Sequence, residues 1–282
     1  MKVLIISHPK PYHLDDFLAV SLLLHKYPGA IHRTARNRDE ALKIIEEEKP
    51  DLAIVVDVGE KYEVGEKVRW YDHHQDINLP CSFVLVLKHE FPELYRKILE
   101  VEPLRKLLMY IDTRDRFGPQ KANEILGIND PVGLLKYLPT IFITEPNPEI
   151  GRNLVNLVES FYKAKEHTKI LTIDGVKVAV VDLDPREIPA SVVFDLTGAD
   201  LLIQRNSRNP AHTSVVKNNM SPLYNKMDLR KLGELYPLVF LHRNGFMAVI
   251  DVPVTSLSNK DIEKIVKTVL GVKEKEKVTV EA

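Results

Sequence analysis

Apolar residues along the first half of the chain predict strands that alternate with helices. Residues 3–7 and 52–58 are short and almost continuously apolar, which is typical of strands covered on both faces of a parallel sheet. Residues 68–71 predict a shorter strand. Apolar positions at helical spacing occur over residues 15–27, 38–49, 81–111 and 132–137. This alternation predicts an α/β fold with a doubly wound, mainly parallel sheet.

A second region of mixed pattern follows a segment with two prolines, residues 144–148. A long helix is predicted directly after it. Further strands are predicted over residues 176–181, 201–204, 213–216 and 246–250, and helices over 192–196 and 260–270. We therefore predict a catalytic domain over residues 1–146, a linker helix over 147–170 and a smaller mixed α/β domain over 171–282. Its charge-rich last ten residues are expected to be frayed.

Composition narrows the chemistry that the chain can support. The 39 basic and 40 acidic residues nearly cancel, so any nucleic acid would have to be held by a local basic cleft. Cys81 is the only cysteine, which excludes disulfides within the chain and a zinc site built of several thiolates. No stretch of about 18 apolar residues occurs. We expect a cytoplasmic protein with no membrane span.

Polar side chains follow three of the predicted strands. His8 follows the first strand, Asp57 lies near the end of the second, and Asp72-His73-His74 follows the third. Ligands of open α/β sheets bind at the carboxyl ends of the strands, so these side chains should share one crevice. His13 and Asp15, in the segment after the first strand, lie within reach of the same edge.

Carboxylates and imidazoles are ligands for hard or borderline divalent cations. Seven candidates are more than one ion needs: His8, His13, Asp15, Asp57, Asp72, His73 and Asp112. They fit two ions that share a bridging carboxylate, and Asp57 is the natural bridge because it ends a central strand. Two such ions lower the pKa of a water molecule and stabilise a displacement at phosphorus.

Each residue alone also has a simpler interpretation. A single histidine near a strand end is more often hydrogen-bonded than metal-bound, and Asp15 or Asp16 could cap a helix. Asp57 could simply end its strand, with Gly59 making the turn. The triplet at 72–74 is harder to explain in this way, because three polar groups after an apolar strand need partners. Taken together, the residues favour a metal site.

These residues form motifs that resemble the DHH phosphoesterase superfamily, and within it the Myg-type branch, named after the melanocyte proliferating gene. The matching segments are His8 with His13-Leu14-Asp15-Asp16, then Val55-Val56-Asp57-Val58-Gly59, then Tyr71-Asp72-His73-His74-Gln75. Ile111-Asp112-Thr113-Arg114-Asp115 is similar to the fourth motif, with Asp112 as the preferred ligand and Asp115 as the alternative. Residues 239–246 are similar to a late His-x-x-Gly-Phe segment. Pro9-Lys10-Pro11 departs from the glycine-containing loop that is usual in the branch.

The resemblance implies a role for each residue. One ion would be held by His8, His13 and Asp57. The other would be held by Asp15, Asp57, His73 and Asp112. Asp72 would be a ligand or would orient the imidazoles, and His74 would face the phosphate or the leaving oxygen. Catalysis would then depend on Asp57, Asp72 and His74.

Basic residues are candidates for substrate binding. They are Arg205, Arg208, His212, His242, Arg243 and Arg114. The loop at 205–212 joins two predicted strands, and its arginines could hold phosphate in a bidentate manner. A solvated hairpin turn is the simpler interpretation of that loop. The resemblance favours the phosphate clamp, because two-domain members close a basic second domain over the metal site.

We therefore predict a hydrolase of phosphoester bonds with two divalent cations, manganese being preferred over magnesium, cobalt or zinc. The resemblance implies short oligonucleotides or single strands as substrates, cleaved as by an exonuclease. One alternative is a small-molecule phosphatase acting on pyrophosphate or nucleotides, since residues 205–217 are basic but lack aromatic residues. Another is a non-catalytic regulator that binds metal or nucleotide. A homodimer is compatible with all of these.

Overall fold

The computed structural model describes residues 1–126 and 145–272. The helical pattern at 132–137 and the tail at 273–282 lie outside the described residues. The chain divides into two compact units, residues 1–159 and 160–282. The division falls within a helix, Pro148–His167, which corresponds to the linker helix predicted over 147–170.

The first unit is built from one sheet and the helices around it. Its strands are β1 (Val3–Ser7), β2 (Ile31–Thr34), β3 (Leu52–Val56), β4 (Tyr62–Val64) and β5 (Val68–Tyr71). Its helices are α1 (Leu14–Lys26), α2 (Arg38–Glu48), α3 (Ser82–Glu90), α4 (Pro92–Glu100), α5 (Glu102–Phe117) and α6 (Pro119–Leu126). The helix that contains the division between the units is α7 (Pro148–His167).

The sheet of the first unit has the order β2-β1-β3-β5-β4. Its first four strands are parallel, and only β4 at one edge is antiparallel to its neighbour. All five residues of β1 and of β3 are buried, as continuous apolar runs predict. Helix α1 is buried along most of its length and packs against α3. The predicted mainly parallel α/β fold is confirmed.

The second unit is a mixed α/β structure around a six-stranded sheet. Its strands are β6 (Thr168–Ile173), β7 (Val176–Val181), β8 (Leu201–Arg205), β9 (Thr213–Lys217), β10 (Leu238–Leu241) and β11 (Met247–Ile250). The order is β10-β11-β9-β8-β7-β6, and only β7 and β8 pair in parallel. Its helices are α8 (Ala190–Thr197) and α9 (Asn259–Leu270). A core of aliphatic side chains forms between the sheet and α9.

Four strands were not predicted from the sequence, namely β2, β4, β6 and β10. They lie at the edges of the two sheets, where one or both faces are open and the apolar pattern is weak. The linker helix, predicted to reach residue 170, ends at His167 because β6 begins at Thr168. No helix within the described ranges is long and apolar enough to cross a membrane.

Candidate metal centre

The strand register of the first sheet brings the predicted site residues together. Ser7 pairs with Val56, and Val56 pairs with Tyr71, so β1, β3 and β5 end at the same level. The next residue of each strand is therefore His8, Asp57 or Asp72. Asp57 has a φ of 57°, a left-handed conformation that aspartate tolerates better than most residues. The chain thus turns sharply at Asp57.

Asp57 lies at the centre of the site and is only 3% exposed. Its Oδ1 lies 3.6 Å from Nε2 of His73 and 3.8 Å from Nδ1 of His74. Its Oδ2 lies 3.8 Å from Nδ1 of His13. Ser82, at the start of α3, donates a 3.0 Å hydrogen bond to Oδ1. The two carboxylate oxygens thus face different imidazoles, as a bridging ligand requires.

Asp115 on α5 lies beside the same histidines. Its Oδ2 is 2.8 Å from Nε2 of His73, and its Oδ1 is 3.9 Å from Nδ1 of His13. Within the described residues, neither Oδ2 of Asp115 nor Nε2 of His73 has a hydrogen-bond partner, although both are buried. The two atoms are therefore close without being aligned for a hydrogen bond. Two ligand atoms are arranged in this way when the lone pairs of both point at the same cation.

Asp15 and Asp16, in the first turn of α1, are fully buried. None of their four carboxylate oxygens has a hydrogen-bond partner in the part of the chain that the structure describes. Burial and the nearby charges of Asp57 and Asp115 raise the pKa of Asp15 well above its usual range. Burial, with the charge of Asp57, raises the pKa of Asp16 to about 8. Neither caps the helix, because the capping position belongs to His13.

The pKa shifts at the centre of the site follow from close contacts between opposite charges. Burial would raise the pKa of Asp57, but His13 and His73 outweigh it and hold that pKa well below its usual range. Burial would lower the pKa of His73, but its contacts with Asp115 and Asp57 raise it to about 9. Without a cation, protons on the imidazoles thus balance these carboxylates.

Asp72 has both carboxylate oxygens engaged within the protein. Its Oδ2 accepts a 2.7 Å hydrogen bond from the backbone N–H of Glu60. Its Oδ1 accepts one from the backbone N–H of His74 and lies 2.6 Å from Nδ1 of that imidazole. This contact raises the pKa of His74. Of the two predicted roles for Asp72, these contacts fit an orienting residue rather than a ligand.

Asp112, the preferred fourth-motif ligand in the sequence, belongs to neither group of converging ligand atoms within the described residues, and both of its carboxylate oxygens accept hydrogen bonds. Its Oδ1 accepts a 2.7 Å hydrogen bond from the backbone N–H of Cys81, and its Oδ2 accepts one from Arg116 at 3.0 Å. Oδ1 therefore joins α5 to the segment before α3, and Oδ2 pairs with a residue one turn along α5. The structure places Asp115, the alternative, among the ligand atoms instead.

Two groups of side chains in the described residues offer ligand atoms within 4.8 Å of one another. They are Asp57, His73 and His74, and His13, Asp15 and Asp115. The ring of His8 stacks on that of His13 with centroids 6.0 Å apart, and its buried Nδ1 has no partner within the described residues. Buried ligand atoms without partners fit divalent cations better than they fit a metal-free protein.

The predicted substrate-binding residues fall into three places. Arg114 lines a cleft of about 240 Å³ together with His13 and Asp115, in the first unit. Arg208, His212 and His242 line one cavity in the second unit. Of the remaining two, Arg205 pairs with Asp182 at 2.9 Å, and Arg243 is exposed after β10.

Sequence reasoning did not assign roles to Ser82 or Asp16 in this site, and it ranked Asp115 second. Ser82 follows Cys81 in a segment with no motif, so only the fold brings it to Asp57. Asp112 and Asp115 are three positions apart on one helix, and the rotation of α5 decides which of them faces the histidines. A pair of adjacent aspartates at a helix start was the one available signal for Asp16.

One protein-family model matches the first part of the chain. Residues 4–79 match the family model labelled MYG1_exonuc and described as an uncharacterised protein family, UPF0160. The predicted resemblance to the Myg-type branch is confirmed. The matched segment includes His8, His13, Asp15, Asp57 and the 72–74 triplet, whereas α5 and the whole second unit lie beyond it. No curated protein matches the sequence.

Several solved structures are similar over most of this chain, with low scores. A pGpG-specific phosphodiesterase, PggH, from Vibrio cholerae has 13% identity and a TM-score of 0.29, over 96% of this chain and 97% of its own. An uncharacterised protein from Helicobacter pylori has 12% identity and a TM-score of 0.27, over 96% and 99%. RecJ with Mn²⁺ from Thermus thermophilus has 12% identity and a TM-score of 0.26, over 96% and 52%. With scores this low, these likenesses add nothing to the functional assignment.

Proposed function

We propose that the first unit is the catalytic part of a metal-dependent hydrolase of phosphodiester bonds. The observation that carries this proposal is the set of buried ligand atoms around Asp57. Asp15, His73 and Asp115 all point such atoms into the site, and none of these atoms has a hydrogen-bond partner within the described residues. Burying carboxylates without partners costs folding free energy unless a cation binds to them. The match of residues 4–79 to the Myg-type family supports the same assignment.

We assign the ligands as follows. One cation would be held by His8, His13 and Asp57. The other would be held by Asp15, Asp57, His73 and Asp115, with Asp115 taking the place predicted for Asp112. This choice is supported by the 2.8 Å separation of Asp115 and His73, and by the engagement of both oxygens of Asp112 elsewhere.

Bound divalent cations, with manganese preferred, would lower the pKa of a water molecule and offset the charge of the phosphoryl group. The chain's own residues provide orientation and proton transfer. Asp72 holds the N–H at Nδ1 of His74, which leaves Nε2 to exchange a proton with the leaving oxygen. The raised pKa of His74 favours its protonated form, as a proton donor to that oxygen needs. Arg114 lines the cleft beside His13 and would contact a phosphate oxygen there.

The substrates we propose are short oligonucleotides or single strands, degraded by an exonuclease activity. The test is hydrolysis of a short RNA, a single-stranded DNA and pyrophosphate in parallel, with and without Mn²⁺. Asp57→Ala serves as the inactive variant, and Asp39→Ala, which removes an exposed carboxylate on α2, is the matched control. We expect Mn²⁺-dependent cleavage of at least one nucleic acid by the parent and by Asp39→Ala, and none by Asp57→Ala.

Each other outcome changes the assignment in a defined way. Hydrolysis of pyrophosphate alone would replace the nuclease by a small-molecule phosphatase. Turnover of no substrate, or equal activity of Asp57→Ala and the parent, would refute the metal-dependent mechanism.

A further inference from the structure

A serine outside the sequence motifs contacts the carboxylate at the centre of the candidate metal site. Ser82, the first residue of α3, is fully buried, and its hydroxyl donates a 3.0 Å hydrogen bond to Oδ1 of Asp57. The nearest nitrogens of His13, His73 and His74 lie farther from that carboxylate, at 3.6 to 3.8 Å. Ser82 therefore makes the closest of these contacts with Asp57.

The hydroxyl of Ser82 plays no part in forming its own helix. Cys81 occupies the capping position of α3, and its side chain makes no capping hydrogen bond. As the first helical residue, Ser82 has no carbonyl of an earlier turn of α3 to which it could donate. Thr197 in α8 shows the alternative, because its buried hydroxyl donates to the carbonyl of Val193 one turn earlier. The hydroxyl proton of Ser82 is directed at Asp57 instead.

The backbone is held in place on both sides of this hydrogen bond. The N–H of Cys81, directly before Ser82, donates to Oδ1 of Asp112 at 2.7 Å, and the first six residues of α3 are buried. Asp57 has its left-handed φ of 57°, and its own N–H donates to the carbonyl of Tyr71 at 3.0 Å. Because both backbones are fixed, the hydrogen bond from Ser82 sets the plane of the Asp57 carboxylate.

The plane of that carboxylate decides whether two cations can share Asp57. Its Oδ1 faces His73 and His74, and its Oδ2 faces His13. A carboxylate has about four lone-pair sites, so the hydrogen bond from Ser82 leaves Oδ1 able to bind a cation as well. A carboxylate that is free to rotate can instead bind one cation with both oxygens, which takes the shared ligand away from the second cation.

We propose that Ser82 is a positioning residue that keeps Asp57 in a bridging geometry between two divalent cations. This inference rests on the metal-dependent function proposed above, and it concerns the binding of the second cation. Removing a hydrogen-bond partner of a metal ligand typically lowers metal affinity by about 10- to 100-fold. We expect a loss of that size for the second cation, since the first can still be bound by a rotated Asp57.

Equilibrium binding of Mn²⁺ to the full chain tests this proposal, with the free ion followed by electron paramagnetic resonance. We expect the parent to bind two ions. Ser82→Ala should bind the first ion with nearly the parent affinity and the second about 10- to 100-fold more weakly. Ser21→Ala is the matched control, because Ser21 is also fully buried but lies on α1, where its Oγ accepts a hydrogen bond from the backbone N–H of Asn147. It should bind both ions as the parent does.

The spectrum of the bound ions separates positioning from a general loss of structure. Two Mn²⁺ ions that share a carboxylate couple magnetically, so their spectrum differs from that of isolated bound ions. With two equivalents of Mn²⁺, we expect the coupled spectrum from the parent and mainly the isolated-ion spectrum from Ser82→Ala. Thermal unfolding in EDTA verifies that each variant is folded.

Two further variants at the same position test the hydroxyl itself. Ser82→Thr keeps the hydroxyl, and should retain the second ion and the coupled spectrum. Ser82→Cys has nearly the volume of serine but is a weak donor, so it should behave as Ser82→Ala does. It tests the same hydrogen bond without the cavity that alanine leaves.

A folded Ser82→Ala or Ser82→Cys protein that binds the second ion as tightly as the parent would overturn the proposal. So would an equal loss of the second ion in Ser82→Thr and Ser82→Ala. Because these measurements need no turnover, they separate the proposal from the proposed hydrolase function. Binding of a second ion that depends on Ser82, in a protein that hydrolyses no substrate, would refute only the hydrolase function.

Discussion

Two places in the first unit hold buried carboxylates in opposite surroundings. One is Glu90, and the other is the pair Asp15 and Asp16. Glu90, at the end of α3, is 4% exposed, and its oxygens accept four side-chain hydrogen bonds. The donors are Lys26 at 2.7 Å, Tyr27 at 2.9 Å, Arg69 at 2.6 Å and Tyr71 at 2.8 Å. Burial would raise the pKa of Glu90, but Lys26 and Arg69 outweigh it and lower that pKa to about 2. The protein itself therefore satisfies the charge and the hydrogen-bonding capacity of this carboxylate.

Asp15 and Asp16 are buried just as deeply and have no such donors within the described residues. Their pKa values are raised where that of Glu90 is lowered. The same chain can therefore satisfy a buried carboxylate when the charge serves only the fold. Four unpaired oxygens beside the imidazole of His13 are explained by a cation that the folded chain binds.

The largest expected effect is that of Asp15→Asn on hydrolysis. Loss of a metal ligand should lower the rate by about 10³-fold or more, which corresponds to about 4 kcal/mol of transition-state stabilisation. The same variant should leave the melting temperature of metal-free protein at pH 8 unchanged or higher, because it replaces a buried carboxylate that has no hydrogen-bond partner within the described residues. Steady-state kinetics and thermal unfolding in EDTA measure the two quantities. Lower stability in EDTA would show that Asp15 has a protein partner after all.

Glu90→Gln should have the opposite pair of effects. Lys26 and Arg69 would lose a buried counter-charge, so we expect the free energy of unfolding to fall by about 3 kcal/mol. The hydrolysis rate per folded molecule should stay within about twofold of the parent. Urea unfolding measures the free energy of unfolding. Active-site titration gives the number of active molecules, from which the hydrolysis rate per molecule follows. An unchanged midpoint would mean that the four hydrogen bonds to Glu90 contribute little.

The two aspartates of α5 provide a comparison within one helix. Asp115→Asn should reduce hydrolysis by about 100-fold, since we assign it as a ligand. Asp112→Asn should instead destabilise the protein by about 1–2 kcal/mol, because a neutral amide accepts more weakly from Arg116 and from the N–H of Cys81. Hydrolysis rates at saturating Mn²⁺ measure the loss of activity, and melting temperatures measure the loss of stability. Greater loss of activity in Asp112→Asn would restore the ligand choice made from the sequence.

The sequence was sufficient for the buried strands and for most of the side chains that the structure brings together around Asp57. Strands β1 and β3 are covered on both faces, so their apolar runs are unbroken, and the polar residue that ends each run is visible directly. The edge strands β2 and β4 carry no such signal. The choice between Asp112 and Asp115 could not be made either, because it depends on how α5 is rotated against the sheet. The cavity lined by Arg208, His212 and His242 could not be predicted either. It forms between segments about 30 residues apart in the sequence, which only the pairing of β9 with β11 brings together.

A smaller effect is expected from pH in the range 7–9. A group whose folded pKa is raised contributes stability that is lost as pH rises through that folded pKa. Asp16, with a pKa of about 8, and His73, with a pKa of about 9, both titrate here. Metal-free protein should therefore melt several degrees lower at pH 9 than at pH 7, and Mn²⁺ should remove most of the difference. Equal pH dependence with and without Mn²⁺ would argue against a cation between these groups.

Equilibrium binding of Mn²⁺, followed by the electron paramagnetic resonance of the free ion, tests whether the unpaired carboxylates form a metal site. We expect the parent chain to bind two Mn²⁺ ions, and Asp57→Asn to bind fewer than two and at lower affinity, because its carboxylate is shared. Asp39→Asn, an exposed change on α2, should bind as the parent does. A parent that binds no Mn²⁺, or an Asp57→Asn protein that binds two ions as tightly as the parent, would contradict the assignment.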